Sequence, residues 1–106
     1  MFIFVETKLF TRLFDEMFSE DAELTKLQDF LRANPEVGDI IPGSGGVRKM
    51  RWAAPGRGKR GGVRIIYYLR SKQGQIWLLT LYPKSETDNI PGSILKQIKD
   101  EIDGDI

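Results

Sequence analysis

The sequence predicts a small α+β domain: an N-terminal helix hairpin packed on a mainly antiparallel, twisted sheet of about four strands, followed by a C-terminal helix. Three observations carry this expectation. Apolar residues recur at helical spacing early in the chain, first at Leu9, Phe10, Leu13, Phe14 and Met17, then at Leu24, Leu27, Phe30 and Leu31. Three β-rich runs follow through the middle. Isoleucine returns at every fourth position near the end, at Ile90, Ile94, Ile98 and Ile102, with Leu95 alongside. At 106 residues the chain is expected to form one domain, 1–106, with a single modest core.

Phe2 to Val5 is a short apolar run of β type and a candidate first strand. Leu9 to Met17 reads as an amphipathic helix, with Lys8, Arg12, Asp15 and Glu16 among its polar positions. Ser19 is suited to cap a second helix, and Glu20, Asp21 and Glu23 suit the positive end of its dipole. That helix should stop at Asn34-Pro35, because a residue before proline resists helical geometry. A loop rich in Gly and Pro spans Val37 to Gly46, with a short extended piece expected at Ile40-Ile41. Val47 to Ala53, Val63 to Leu69 and Ile76 to Tyr82 read as strands. A basic glycine-rich loop, 55–62, joins the first two, and a hairpin turn with Gly74 joins the second and third. The last of these strands is apolar almost throughout, which predicts a central position covered on both faces. The order β-α-α-β-β-β-α allows an antiparallel meander, with the first strand at one edge and the helix hairpin over one face.

Composition narrows the chemistry. The chain has no Cys and no His. The first absence excludes disulfides, thiolate nucleophiles and zinc–thiolate sites. The second removes the usual neutral-pH acid/base and the commonest metal ligand. Catalysis would fall to Lys, Arg, Tyr, Asp, Glu or hydroxyl groups, with no metal and no cofactor expected. No apolar run approaches the length of a bilayer span, and the first residues lack the basic segment of a signal peptide. A cytoplasmic protein without a membrane partner is expected.

Charge is distributed unevenly. Between Asp39 and Glu86 there is no carboxylate, while ten basic residues stand there: Arg48, Lys49, Arg51, Arg57, Lys59, Arg60, Arg64, Arg70, Lys72 and Lys84. The formal net charge of +1 hides this segregation. Such asymmetry predicts a surface for a polyanion, with nucleic acid the leading candidate, provided that folding gathers the middle into one positive hollow.

Strand alternation sorts these side chains. Arg48, Met50 and Trp52 share one face of their strand, and Lys49, Arg51 and Ala53 the other. Arg64, Ile66, Tyr68 and Arg70 oppose Val63, Ile65, Tyr67 and Leu69. On the last strand, strict alternation sets Ile76, Leu78, Thr80 and Tyr82 against Trp77, Leu79 and Leu81. Arg64 interrupts a strand that otherwise reads as core. A buried cation is costly unless paired, so Arg64 should reach a rim, a carboxylate such as Glu86, or a bound anion. Lys49 and Arg51 read either as charged gatekeepers on a solvated face or, with no nearby carboxylate in sequence, as anion ligands. The loop with Arg57, Lys59 and Arg60 among glycines resembles a phosphate cradle without the Walker A order; a basic, solubilising hairpin loop is the plain alternative. Tyr82, Lys84 and Glu86 leave the last strand together, either as an ordinary polar turn or as reactive groups aimed by a rigid sheet. Trp52 and Tyr68 are candidates for stacking on bases, whereas Tyr67 and Trp77 read as core.

Read together, these residues resemble the RelE/HigB superfamily of bacterial type II toxin–antitoxin modules, and most closely its HigB-like branch. The resemblance lies in Gly45-Gly46-Val47-Arg48-Lys49-Met50-Arg51, in Gly58-Lys59-Arg60-Gly61-Gly62-Val63-Arg64-Ile65-Ile66-Tyr67-Tyr68, and in Leu78-Leu79-Thr80-Leu81-Tyr82-Pro83-Lys84-Ser85-Glu86. It extends over nearly the whole chain and implies a RelE-like microbial ribonuclease fold. It also implies a toxin that acts as a ribosome-dependent, metal-independent mRNA endoribonuclease (mRNA interferase), cutting mRNA in the ribosomal A site and so inhibiting translation.

The implied partners are mRNA, the ribosome and a cognate antitoxin, a HigA-like helix-turn-helix protein through which alone operator DNA would be bound. The implied catalytic positions are Arg51, Arg64 and Lys84, with Tyr82 and Glu86, and the auxiliary RNA contacts are Arg48, Lys49, Arg57, Lys59 and Arg60. Attack by an internal 2′-OH needs alignment and stabilisation of a developing dianion, for which Arg supplies a bidentate fork. Tyr82, Lys84, Glu86 and Lys59 are the candidates for proton transfer, since the His of some relatives and the late Tyr of others are absent here. A non-catalytic basic module binding RNA or the ribosome, and a scaffold docking an acidic partner, are the alternatives.

Overall fold

A computed structural model of the chain describes residues 1–53, 62–84 and 90–104. The elements run β1 (Ile3–Glu6), α1 (Lys8–Met17), α2 (Asp21–Ala33), β2 (Asp39–Ile40), β3 (Val47–Trp52), β4 (Val63–Arg70), β5 (Gln75–Pro83) and α3 (Gly92–Asp103). The α+β architecture is the expected one, but the sheet has five strands among the described residues, in the order β1-β5-β4-β3-β2. The additional strand, β2, is two exposed residues held by antiparallel pairing with Arg48 and Lys49 rather than by any pattern of its own. β1 lies parallel to β5, and the other pairs are antiparallel.

Each end of α2 follows a local rule. Its N-cap is Glu20 rather than Ser19, without a side-chain capping bond, and Asp21 and Glu23 occupy the first turn. Asn34 caps the other end, directly before Pro35. The turn between β4 and β5 is a short 3₁₀ segment, Ser71–Gln73, closed by Gly74 in the left-handed region at φ 67°.

The sheet is covered on both faces. Phe10, Phe14 and Phe18 stack along α1 and just past its end, and with Leu27 and Leu31 of α2 they pack on Met50, Val63, Ile65, Tyr67, Ile76, Leu78 and Leu81. On the opposite face Leu95 of α3 closes over Val47, Ile66 and Leu79. β5 contributes to both clusters, as its continuous hydrophobicity predicts.

The expected alternation of β5 is corrected by a β-bulge. Ile66 pairs with Thr80 but Tyr67 pairs with Leu78, so Leu79 is an extra residue. Ile76 and Leu78 therefore face the helix hairpin, as does Leu81, while Trp77, Leu79 and Tyr82 belong to the α3 side. Thr7, the N-cap of α1, is bound to this bulge. Its N–H donates to the Leu78 carbonyl at 3.1 Å and its hydroxyl to the Leu79 carbonyl at 2.7 Å, while the same oxygen accepts from Phe10 N–H at 2.9 Å.

α3 forms as expected, but only the ends of the isoleucine row, Ile90 and Ile102, pack against the core. Leu95 is buried, whereas Ile94 and Ile98 are 45% and 37% exposed. Polar bonds tie the end of α3 to β4. Asp103 accepts from Tyr68 Oη at 2.8 Å and from Arg70 Nε at 3.0 Å, and pairs with Lys99 Nζ at 3.1 Å. Burial pushes the Asp103 carboxyl up, but Tyr68, Lys99 and Arg70 together hold it below the ordinary range. At the other end, Gly92 sits so close to the Pro42 carbonyl that a side chain there would overlap it.

Candidate nucleic-acid interface

The site is built by register. Arg51 of β3 stands directly opposite Arg64 of β4, and Arg64 stands opposite Tyr82 of β5. The Val47 carbonyl accepts from Ile41 N–H at 2.8 Å, on the β2 side of β3. Alternation then turns the main-chain groups of Arg51 to that same side and away from β4. Arg51 and Arg64 are thus a non-hydrogen-bonded pair, the type with Cα atoms about 4.5 Å apart and the closest side chains. Like charges in such a pair are destabilising by themselves, and a phosphate bound between two guanidinium groups reverses that cost.

Both arginines lie on the sheet face opposite the helix hairpin, as does Lys49, whose register partners are Ile66 on β4 and Asp39 on β2. Arg51 is exposed, and Lys49 and Arg64 are half-buried. The three cations line one open groove of about 350 Å³ with Phe30, Val37, Met50 and Asp39. Tyr82 reaches this face only because of the bulge at Leu79. Burial pushes its phenol above the ordinary tyrosine range, and nearby Arg64 pulls it back only in part. A phenol shifted in this direction is protonated at neutral pH. Lys84 is exposed just past β5, where its N–H donates to the Gly62 carbonyl at 3.2 Å.

The carboxylate-free middle does not fold into one hollow. Arg48 departs from the group: its guanidinium bonds the carbonyls of Glu36 and Gly38 at 3.1 and 2.8 Å and ties the loop after α2 to β3. Strand alternation explains this, since Arg48 shares its face with Met50 and Trp52. Arg70 is taken up by Asp103, and Lys72 sits on the turn between β4 and β5. Arg57, Lys59, Arg60 and Glu86 lie outside the described residues. Trp52 packs on the hairpin-side core beside Phe30, with ring centroids 5.6 Å apart, and Tyr68 bonds Asp103; neither is a free stacking surface.

The sequence reading missed Thr7 and Phe30. A threonine ahead of Lys8-Leu9-Phe10 is a legible N-cap signal, but its bond to a carbonyl 72 positions away is not. Phe30 reads as an ordinary member of a helical stripe, yet it is 37% exposed at the mouth of the groove. Among the described residues there is no cluster of three or more acidic, His or Cys groups suited to a metal ion, and no helix long and apolar enough to cross a membrane.

Fold and site together define a small α+β protein whose sheet carries opposed arginines on one face, an arrangement suited to a phosphodiester. Residues 2–102 match the family described as the RelE toxin of the RelE/RelB toxin–antitoxin system. The chain belongs to this RelE toxin family. It is thus the toxin of a toxin–antitoxin pair, in a family whose members are generally translation-inhibiting endoribonucleases.

Proposed function

We propose that this toxin is a ribosome-dependent mRNA endoribonuclease that binds the scissile phosphodiester between Arg51 and Arg64. The observation that carries this reading is the cross-strand opposition of the two arginines. In the reaction the 2′-OH attacks the adjacent phosphorus, a 2′,3′-cyclic phosphate forms and the 5′-oxygen leaves. The two guanidinium groups stabilise the extra negative charge as it develops, and Lys49 adds to the field. Tyr82, held protonated, donates to a phosphate oxygen or to the leaving group. Lys84, Glu86 and Lys59 are the remaining groups for proton transfer at the 2′-OH, and Arg57, Lys59 and Arg60 are proposed contacts to the flanking RNA backbone. The reaction is proposed to proceed without a metal, with the guanidinium and ammonium groups supplying the charge stabilisation. The proposed site of action is the ribosomal A site in the cytoplasm. The proposed antitoxin is a HigA-like helix-turn-helix protein encoded downstream, so the adjacent reading frame tests the HigB-like assignment directly.

The decisive experiment is cleavage of mRNA on programmed ribosomes. Arg51→Ala and Arg64→Ala should each lower the rate by about 10²- to 10³-fold, the usual loss for a removed oxyanion ligand. Arg48→Ala should act on stability and leave the cleavage rate of the folded protein unchanged. Undiminished cleavage in both site variants refutes the assignment. Wild-type binding to ribosomes without any cut would leave a non-catalytic binding module.

A further inference from the structure

We infer that the groove around the open end of β3 is a nucleobase subsite, taking the base next to the phosphodiester held by Arg51 and Arg64. The inference rests on the phosphate reading above and adds which part of the RNA lies where. One groove runs from Lys49, Arg51 and Arg64 to Phe30, Val37 and Met50. A phosphate on the cations alone would leave its apolar end empty, with Phe30 and Val37 37% and 46% exposed. Apolar side chains this open, in a groove shared with three cations, fit a ligand that carries a flat apolar part and a negative charge a few ångströms apart. A nucleotide has that form.

Two further features favour a base over an aliphatic occupant. The Phe30 ring packs against Trp52, with centroids 5.6 Å apart and planes at 49°, so an aromatic neighbour helps to hold it in place. Base stacking on such a ring is tolerant of sequence, because every base has a π face. The groove also borders a free sheet edge. β2 pairs only with Arg48 and Lys49, so the outward N–H and C=O of Arg51 have no strand beside them among the described residues. An open edge offers one donor and one acceptor, and the edge of a base carries both. Asp39, which also lines the groove, adds an acceptor suited to an exocyclic amino group.

The test uses the full chain and an uncleavable RNA trinucleotide with 2′-O-methyl riboses, compared with the same molecule lacking its middle base, the one that adjoins both phosphodiesters. Binding is followed by NMR through the Phe30 ring and the Val37 methyl groups. The intact trinucleotide should shift both signals and bind roughly 5- to 100-fold more tightly than its abasic counterpart, the range expected for one stacked base. Phe30→Leu, which keeps apolar volume on α2, should remove most of that difference and leave abasic binding as it was. Equal affinities for the two ligands, or an unchanged difference in Phe30→Leu, overturn the subsite and leave the phosphate reading standing. Failure of both ligands to bind at low salt refutes the phosphate site and the subsite with it.

Discussion

Replacing Thr7 by Val should disconnect the bulge in β5 from the start of α1 while barely changing side-chain volume. Two bonds are lost at once. The hydroxyl no longer accepts from Phe10 N–H, and removal of an N-cap acceptor costs about 1 kcal/mol. It also no longer donates to the Leu79 carbonyl, a net loss of about 1 kcal/mol more. A total near 2 kcal/mol is a large share of the roughly 5–15 kcal/mol available to a domain of this size, and corresponds to a drop in Tm of about 10 °C. Urea denaturation measures it directly. Thr7→Ser keeps both bonds and loses one methyl group, so it should recover most of the stability. The bulge adds a second readout. With its carbonyl released, the amides around Leu79 and Thr80 should exchange faster in the variant than its global stability accounts for. Cleavage measured well below the melting point should fall further than the folded fraction does, because Tyr82 owes its place beside Arg64 to the bulge. Equal losses for Val and Ser, or a Val variant within about 0.5 kcal/mol of wild type, would refute the reasoning.

Three other outcomes are expected. Tyr67→Phe should cost about 1–3 kcal/mol in urea denaturation, because the buried hydroxyl accepts from Gly38 N–H and donates to the Pro35 carbonyl, both at 2.9 Å, and its loss leaves both groups unpaired. Gly92→Ala should destabilise by about 1–3 kcal/mol through overlap with the Pro42 carbonyl; a neutral result would mean that α3 can shift freely at its start. Asp103 stabilises through a folded-state pKa below its unfolded value, so its contribution is complete above about pH 4 and disappears as pH falls through the lower, folded value. Wild type should thus be more stable than Asp103→Asn at neutral pH, and the gap should narrow in strong acid; a constant gap across that range would contradict the linkage.

Local rules made much of this protein legible. The helix hairpin followed from i, i+3, i+4 spacing and the Asn34-Pro35 stop, and the three long strands from β-branched and aromatic runs punctuated by glycine. β2 was expected only as a short extended piece at Ile40-Ile41; two residues hold no period, and pairing with β3 is what defines Asp39–Ile40 as a strand. The isoleucine spacing marked α3 as a helix but did not say which side it buries: Leu95 is buried, Ile94 and Ile98 are exposed, and the partly buried Asp103 carboxylate bonds Tyr68, Arg70 and Lys99. For the site, alternation along each strand already separated Lys49 and Arg51 from Arg48. What alternation could not supply was the pairing between strands, and hence that Arg51 meets Arg64.

By itself, the sequence determined the kinds of group available and the elements that bear them: ten cations in a middle without carboxylates, no His, no Cys, and an α+β order of helices and strands. Tertiary structure alone decided which of those cations stand together. Side-chain direction along a strand is a local property with a period of two, but register and bulges arise from contacts between segments far apart in the chain. One extra residue at Leu79, held by Thr7, is enough to turn Tyr82 from the hairpin-side core to the arginine face.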